Sequence, residues 1–165
     1  PSSGRTSGAE HERLEKLIRA RVESFEHAQP RIEHGKAIFD LHCASCHQVA
    51  GEGALLGPQL DGIGARGAAR LTEDILDPNR NVDAHFFLTT LTLKNGTSTA
   101  GFVRGESGEV ILLVDAMGKE YRIEKSSISA SDTLPRSLMP SSFEHLLKED
   151  EFHDLLGWLL SKRDQ

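Results

Sequence analysis

The sequence predicts an α+β protein in which a mainly α-helical core carries an inserted small antiparallel β module. Helical patterns occur before residue 77, strand and turn signals dominate at about 84–129, and helical patterns return after residue 141. We therefore assign residues 31–163 to one domain with the β module as an insert. Residues 1–30 are a polar segment and a helix that could link an upstream domain.

The first half of the chain predicts three helices. An apolar stripe in a highly charged sequence predicts a helix over 10–29. A second helix covers about 31–43 and ends in a cysteine motif. Residues 49–67 are rich in glycine and read as a loop, and a third helix follows at about 68–76.

The β module is predicted from β-branched and aromatic residues bounded by turn signals. Four antiparallel strands are expected, at 86–93, 97–104, 110–114 and 121–124. Lys94-Asn95-Gly96 is a tight-turn signal between the first two strands. Residues 131–140 are expected to be irregular. Two more helices, over 142–147 and 149–161, complete the chain.

The segment Cys43-Ala44-Ser45-Cys46-His47 has the C-x-x-C-H spacing of a c-type haem attachment site. Two thiols at this spacing can reach two vinyl groups on one porphyrin edge, while the next residue turns its imidazole toward the iron. The motif predicts one covalently attached haem c, bound through Cys43 and Cys46, with His47 as an iron ligand.

Other uses of the two cysteines agree less well with the sequence. A zinc site needs four nitrogen or sulfur ligands, and no second ligand pair follows, although His34 and His42 are near. A thioredoxin-like C-x-x-C needs a βαβ context, whereas a helix precedes this motif. A structural disulfide would leave the position of His47 unexplained.

The second axial ligand must come from elsewhere in the chain. Met139 precedes a proline in an irregular segment, a setting from which a ligand can extend toward the iron. Met117 lies beside a glycine in an expected hairpin turn and is not favoured. His85 and His145 remain alternatives, as does an open sixth position.

Gly57-Pro58-Gln59-Leu60 begins ten residues after the motif. An iron-bound imidazole normally donates its other N–H to a fixed acceptor, and a rigid Gly-Pro turn can provide a carbonyl for it. We expect Pro58 to be this acceptor, and we include Leu60 in the cofactor-binding set.

These residues, with Gly35 and Phe39 before the motif and Trp158 in the last helix, resemble a monohaem class I cytochrome c. The resemblance implies that the first and last helices of the core cross beside the haem. It also implies that the proline carbonyl supports His47 and that Met139 lies on the opposite side of the iron.

The long separation of His47 from Met139 resembles that in the planctomycete and verrucomicrobial type of haem-binding domain. Three further segments carry this resemblance: Leu76-Asp77-Pro78-Asn79, 91–101 and Ser137-Leu138-Met139-Pro140. Such domains commonly follow a dehydrogenase-like domain in long exported chains. The resemblance therefore implies a redox partner in the same or another chain.

Composition limits the function classes. The net charge of −6 argues against nucleic-acid binding, and no apolar run is long enough to span a bilayer. Covalent haem attachment implies a periplasmic or otherwise exported protein. We expect a single-electron carrier rather than an enzyme, serving a fused or partner dehydrogenase. A gas-binding or peroxidatic haem domain with a labile distal ligand is the alternative.

Overall fold

The structure, a computed structural model, describes residues 7–163 and contains two compact units. Residues 7–78 and 141–163 form a mainly helical unit, and residues 79–140 form a unit built on an antiparallel sheet. The α+β class predicted from the sequence is thereby confirmed.

The helical unit contains five helices and one small hairpin among its described residues. They are α1 (Gly8–Glu26), α2 (Ile32–His42), β1 (Gln48–Val49), β2 (Glu52–Gly53), α3 (Ala68–Leu76), α4 (Phe143–Leu146) and α5 (Glu149–Leu160), with a 3-10 turn at Ile63–Arg66. The hydroxyl of Ser7 accepts a hydrogen bond from the N–H of Glu10 and so begins α1.

The core of the helical unit lies where α2 packs against α5. A Cβ at Gly35 would overlap the backbone carbonyl of Asp154, so only glycine permits this approach of the two helices. The rings of Phe39 and Trp158 pack beside it with their centroids 4.7 Å apart. Helix α5 is buried from Phe152 to Leu159, which makes it the central element of this unit.

Helix α1 is part of the helical unit. It packs against α3, and its buried residues are Leu14 and Ile18. Arg13 pairs with Glu144 at 2.8 Å and Arg21 with Glu149 at 2.6 Å, which ties α1 to the C-terminal helices.

The sheet unit contains five antiparallel strands in the order β6-β5-β4-β3-β7. They are β3 (Leu88–Leu93), β4 (Ser98–Ser107), β5 (Val110–Val114), β6 (Glu120–Glu124) and β7 (Ile128–Leu134). One face buries a small aliphatic cluster centred on Leu91, Leu113 and Ile123. Short 3-10 turns at Ala84–Phe86 and Lys125–Ser127 accompany the strands.

Strand β7 corrects the sequence analysis, which expected residues 131–140 to be irregular. It pairs with β3 along its length, from Leu93↔Ile128 to Leu88↔Leu134. Its central residues are Ser, Ala, Ser, Asp and Thr, and all of them are exposed. An edge strand none of whose side chains is buried lacks the apolar alternation by which strands are recognised in a sequence. The predicted loop at 49–67 overlaps the β1–β2 hairpin and contains a 3-10 turn.

Candidate functional site

The cysteine motif forms a compact turn at the C-terminal end of α2. The N–H of Cys43 still bonds to the carbonyl of Phe39 at 2.8 Å, as in the helix. The carbonyl of Cys43 then accepts the N–H groups of both Cys46 (3.0 Å) and His47 (2.9 Å). This turn holds the two cysteines and the histidine as one unit, and both thiols are free.

Burial governs the protonation of the motif. It raises the pKa of the Cys43 thiol to about 12, with a smaller contribution from Cys46. Burial also lowers the pKa of His47, although the hydrogen bond to Pro58 partly opposes it. The histidine is therefore neutral at pH 7, which is the form that binds a metal.

The imidazole of His47 is oriented by the Gly57-Pro58 turn. Its Nδ1 lies 2.8 Å from the carbonyl oxygen of Pro58. Because a carbonyl can only accept, Nδ1 carries the proton and the lone pair of Nε2 is free to bind iron. A Cβ at residue 57 would lie 2.9 Å from the ring carbon Cε1, so glycine lets this turn approach the imidazole.

The loop after His47 is attached to the motif by backbone hydrogen bonds. The carbonyl of Cys46 accepts the N–H groups of Leu56 (3.1 Å) and Gly57 (2.7 Å). The N–H of Leu60 bonds to the carbonyl of Gln48 at 2.9 Å. Leu60 thus takes part in the site through its backbone, and its side chain is partly buried.

The turn of the β1–β2 hairpin is strained. Ala50 (φ 53°) and Gly51 (φ 80°) connect the strands with two consecutive left-handed residues. Among residues 7–163, Ala50 is the one non-glycine residue with a positive φ. This conformation costs about 1–2 kcal/mol for an L-residue. The side chain of Asp61 accepts the N–H of Ala50 at 2.6 Å and holds it there.

Met139 belongs to the sheet unit, in the segment that follows β7. The side chain of Asn79 accepts the N–H of Ser137 at 2.9 Å, and the hydroxyl of Ser137 accepts the N–H of Met139 at 3.0 Å. Met139 is partly buried. Its backbone position is therefore fixed by two side-chain acceptors within the same unit.

The other candidates for a second axial ligand are strongly exposed. Met117 is 90% exposed, in the turn between β5 and β6, where Asp115 accepts its N–H at 2.9 Å. The side chain of His85 is 89% exposed and bonds to Asp83, and that of His145 is 79% exposed beside Glu144. All three side chains face solvent.

The residues present are suited to a covalently bound c-type haem. Two free thiols three positions apart and a neutral imidazole with a free Nε2 lie on one turn, which is the donor set such a group requires. Within residues 7–163, no group of three or more His, Cys, Asp or Glu side chains is arranged to hold a metal ion.

Part of the chain matches a known protein family. Residues 32–99 match the family model Cytochrome c, a range that begins in α2 and includes the motif and the Gly57-Pro58 turn. The match supports a cytochrome c-type haem-binding domain, and with it haem-based electron transfer by an electron carrier. No curated protein matches the chain. In the described part of the chain, none of the helices could cross a membrane.

Several residues at the site were missed by sequence reasoning. Asp61 was not selected because a lone aspartate in a glycine-rich loop carries no motif. Gly53 has φ 100°, and a Cβ there would overlap the His47 carbonyl, but six glycines in this loop gave no means of choosing it. Asn79 belongs to a segment that resembles a known domain type, but no sequence signal points to its bond with Ser137, which forms when the folded sheet unit brings the two residues together.

Proposed function

We propose that this chain is a single-haem electron-transfer domain. Haem c would be held by thioethers to Cys43 and Cys46, with His47 and Met139 as the two protein ligands of its iron. When bound, the haem supplies a one-electron iron couple. The hydrogen bond from His47 Nδ1 to the Pro58 carbonyl carries the proposal, because it leaves Nε2 as the one free donor of an oriented, neutral ring.

Met139 is supported as the second ligand by exclusion and by its own surroundings. Met117, His85 and His145 face solvent, whereas Met139 is partly buried. A ligand retained in both oxidation states must be held in place, and the bonds through Ser137 and Asn79 serve this purpose. With both ligands in place, the domain would transfer electrons without binding a substrate at the iron.

The domain is proposed to act in an exported protein of the planctomycete and verrucomicrobial type. It receives single electrons from a dehydrogenase, in the same or another chain, and passes them to an acceptor. In this view residues 84–129 and the strand β7 that completes their sheet are an insertion into a cytochrome core. The helix before residue 30 connects the core to an upstream domain.

Mass and absorption spectra test this function. Protein produced in a periplasm that attaches haem should be heavier than the bare polypeptide by one haem. It should show a sharp α-band on reduction and should not bind carbon monoxide at neutral pH. Cys43→Ala with Cys46→Ala should return the bare mass, whereas Ser45→Ala, inside the same motif, should not. Rapid carbon monoxide binding by the native reduced protein would instead indicate the gas-binding alternative.

A further inference from the structure

The segment Pro58–Asp61 lies alongside the segment His47–Ala50 and is attached to it at three successive points. The Pro58 carbonyl accepts from His47 Nδ1 (2.8 Å), and the Leu60 N–H donates to the Gln48 carbonyl (2.9 Å). The Asp61 carboxylate accepts from the Ala50 N–H (2.6 Å). The first contact orients the histidine, and the third is the only one of the three made by a carboxylate.

The Asp61 contact is the strongest of the three by type. A hydrogen bond to a carboxylate is shorter and stronger than one between neutral groups, and 2.6 Å is short for an N–H donor. Its donor belongs to Ala50, which has a left-handed backbone that alanine rarely adopts. A second bond, from the Asp61 N–H to the side-chain oxygen of Gln59 at 3.0 Å, orders the same segment.

We propose that Asp61 is a positioning residue for the histidine ligand. By holding Ala50 in the left-handed turn, it keeps the 58–61 segment against the 47–50 segment. It thereby keeps the Pro58 carbonyl within hydrogen-bonding distance of His47 Nδ1. This inference rests on the proposed binding of haem iron by His47.

Asp61 would affect the reduction potential of the iron through the basicity of the His47 imidazole. A ring N–H that donates to a fixed carbonyl makes the other nitrogen a better electron donor and favours the oxidised metal. If the Pro58 carbonyl moves away, the ring donates less, and the reduction potential rises. The same movement exposes the Nδ1 proton to water, so its exchange with solvent becomes faster.

The test uses the full haem-loaded chain and two substitutions at one position. Asp61→Ala removes the acceptor, whereas Asp61→Asn removes the charge but keeps a side-chain oxygen that can accept the Ala50 N–H. We expect the His47 ring proton, followed by NMR, to exchange about tenfold faster in Asp61→Ala, equivalent to about 1.4 kcal/mol. The reduction potential should rise with it. Asp61→Asn should stay close to the wild type in both measurements.

A second background tests the role of the strained turn. Glycine adopts the left-handed conformation without strain, so Ala50→Gly should lessen the dependence on Asp61. The effect of Asp61→Ala should therefore be smaller in Ala50→Gly protein than in the wild type, a non-additivity expected only if the two residues act together. If Asp61→Ala loads too little haem to measure, haem loading itself gives the comparison, and Asp61→Ala should lose less of it in the Ala50→Gly background than in the wild type.

The outcomes separate this inference from the proposed function. A wild-type protein without covalent haem would overturn the function itself. A haem-loaded wild type with equal exchange rates and potentials in Asp61→Ala would overturn only the role of Asp61. Equal shifts in Asp61→Ala and Asp61→Asn would show that the charge acts at a distance, and would also overturn the positioning role.

Discussion

The two compact units hold their candidate iron ligands in different ways. In the helical unit, His47 and its acceptor Pro58 are 11 residues apart in the sequence. In the sheet unit, the Met139 segment is tied to Asn79 through Ser137, across 58 residues. A contact within one loop can be specified by a short motif, whereas the second contact requires the sheet to bring distant segments together. The two ligand positions therefore depend on different parts of the fold.

The two units also differ in charge. Residues 7–78 and 141–163 contain seventeen acidic and eleven basic residues, a net charge of −6, whereas residues 79–140 contain seven of each. The helical unit thus carries the net negative charge of the described chain. A redox partner with a basic surface would be attracted mainly to that unit, and salt would weaken the attraction.

The largest losses of stability are expected from substituting one closely packed glycine in each unit. Gly35→Ala places a Cβ against the Asp154 carbonyl at the α2–α5 contact, and Gly101→Ala places one against the Val114 carbonyl between β4 and β5. Each substitution should destabilise its unit by about 3 kcal/mol or more, because the obstructing atoms are backbone. Hydrogen exchange at Leu156 reports on the helical unit and exchange at Leu113 on the sheet.

Gly8→Ala is the matched control, since a Cβ there meets no atom within 4 Å. It should leave the stability unchanged within about 0.5 kcal/mol. If Gly35→Ala were as harmless as Gly8→Ala, the close approach of α2 and α5 would be wrong.

Met139 is the iron ligand proposed in the sheet unit. Met139→Ala should abolish the near-infrared band of the Met–iron bond. It should also lower the reduction potential by on the order of 10² mV, because a thioether favours ferrous iron more than its replacement does. Met117→Ala is the control, because that side chain is 90% exposed. Loss of the band in Met117→Ala and its retention in Met139→Ala would reverse the assignment.

A pH-dependent contribution is expected in the helical unit. Burial alone would raise the pKa of Asp154, but N–H groups of Arg31 and His34 hold that pKa below its ordinary value. A carboxylate with a depressed pKa stabilises the fold above its unfolded pKa, about 3.9, and this contribution is lost as the pH falls through the folded value. Asp154→Asn should therefore cost about 2 kcal/mol at pH 7, a cost that shrinks below about pH 4.

Denaturant unfolding at several pH values measures this difference. Asp40→Asn is the control, since its ion pair with Lys36 is exposed and should be worth less than about 1 kcal/mol. A cost for Asp154→Asn that did not change between pH 7 and pH 3 would contradict the lowered pKa.

The smallest effect is expected at Asn79. Asn79→Ala leaves the Ser137 N–H without its acceptor and should loosen the Met139 segment by about 1 kcal/mol. The near-infrared band should weaken, or disappear at a lower temperature than in the wild type. Asn95→Ala removes an acceptor of the same kind, for the Thr97 N–H in a hairpin turn of the same unit, and should leave the band unchanged. Equal effects would show that Asn79 has no particular link to Met139.

The sequence by itself was sufficient for the features that depend on short spacing. Helix α3 has the predicted bounds, 68–76, because an apolar pattern with a proline stop is a local signal. The turn at Lys94-Asn95-Gly96 joins β3 and β4 as predicted. The C-x-x-C-H motif pointed to haem because its three functional residues lie within five positions, and the family match at 32–99 supports that interpretation.

Only the tertiary structure decided the features that depend on distant segments. Strand β7 has no apolar alternation, and it is a strand because β3 offers it hydrogen-bonding partners. Asp61 and Asn79 are common polar residues whose partners, Ala50 and Ser137, become neighbours when the chain has folded. A short motif depends on the covalent geometry of residues that are close together in the chain, so it can be recognised from the sequence alone. The bonds of Asp61 to Ala50 and of Asn79 to Ser137 follow from no such motif, and they depend on packing, which the whole chain determines together.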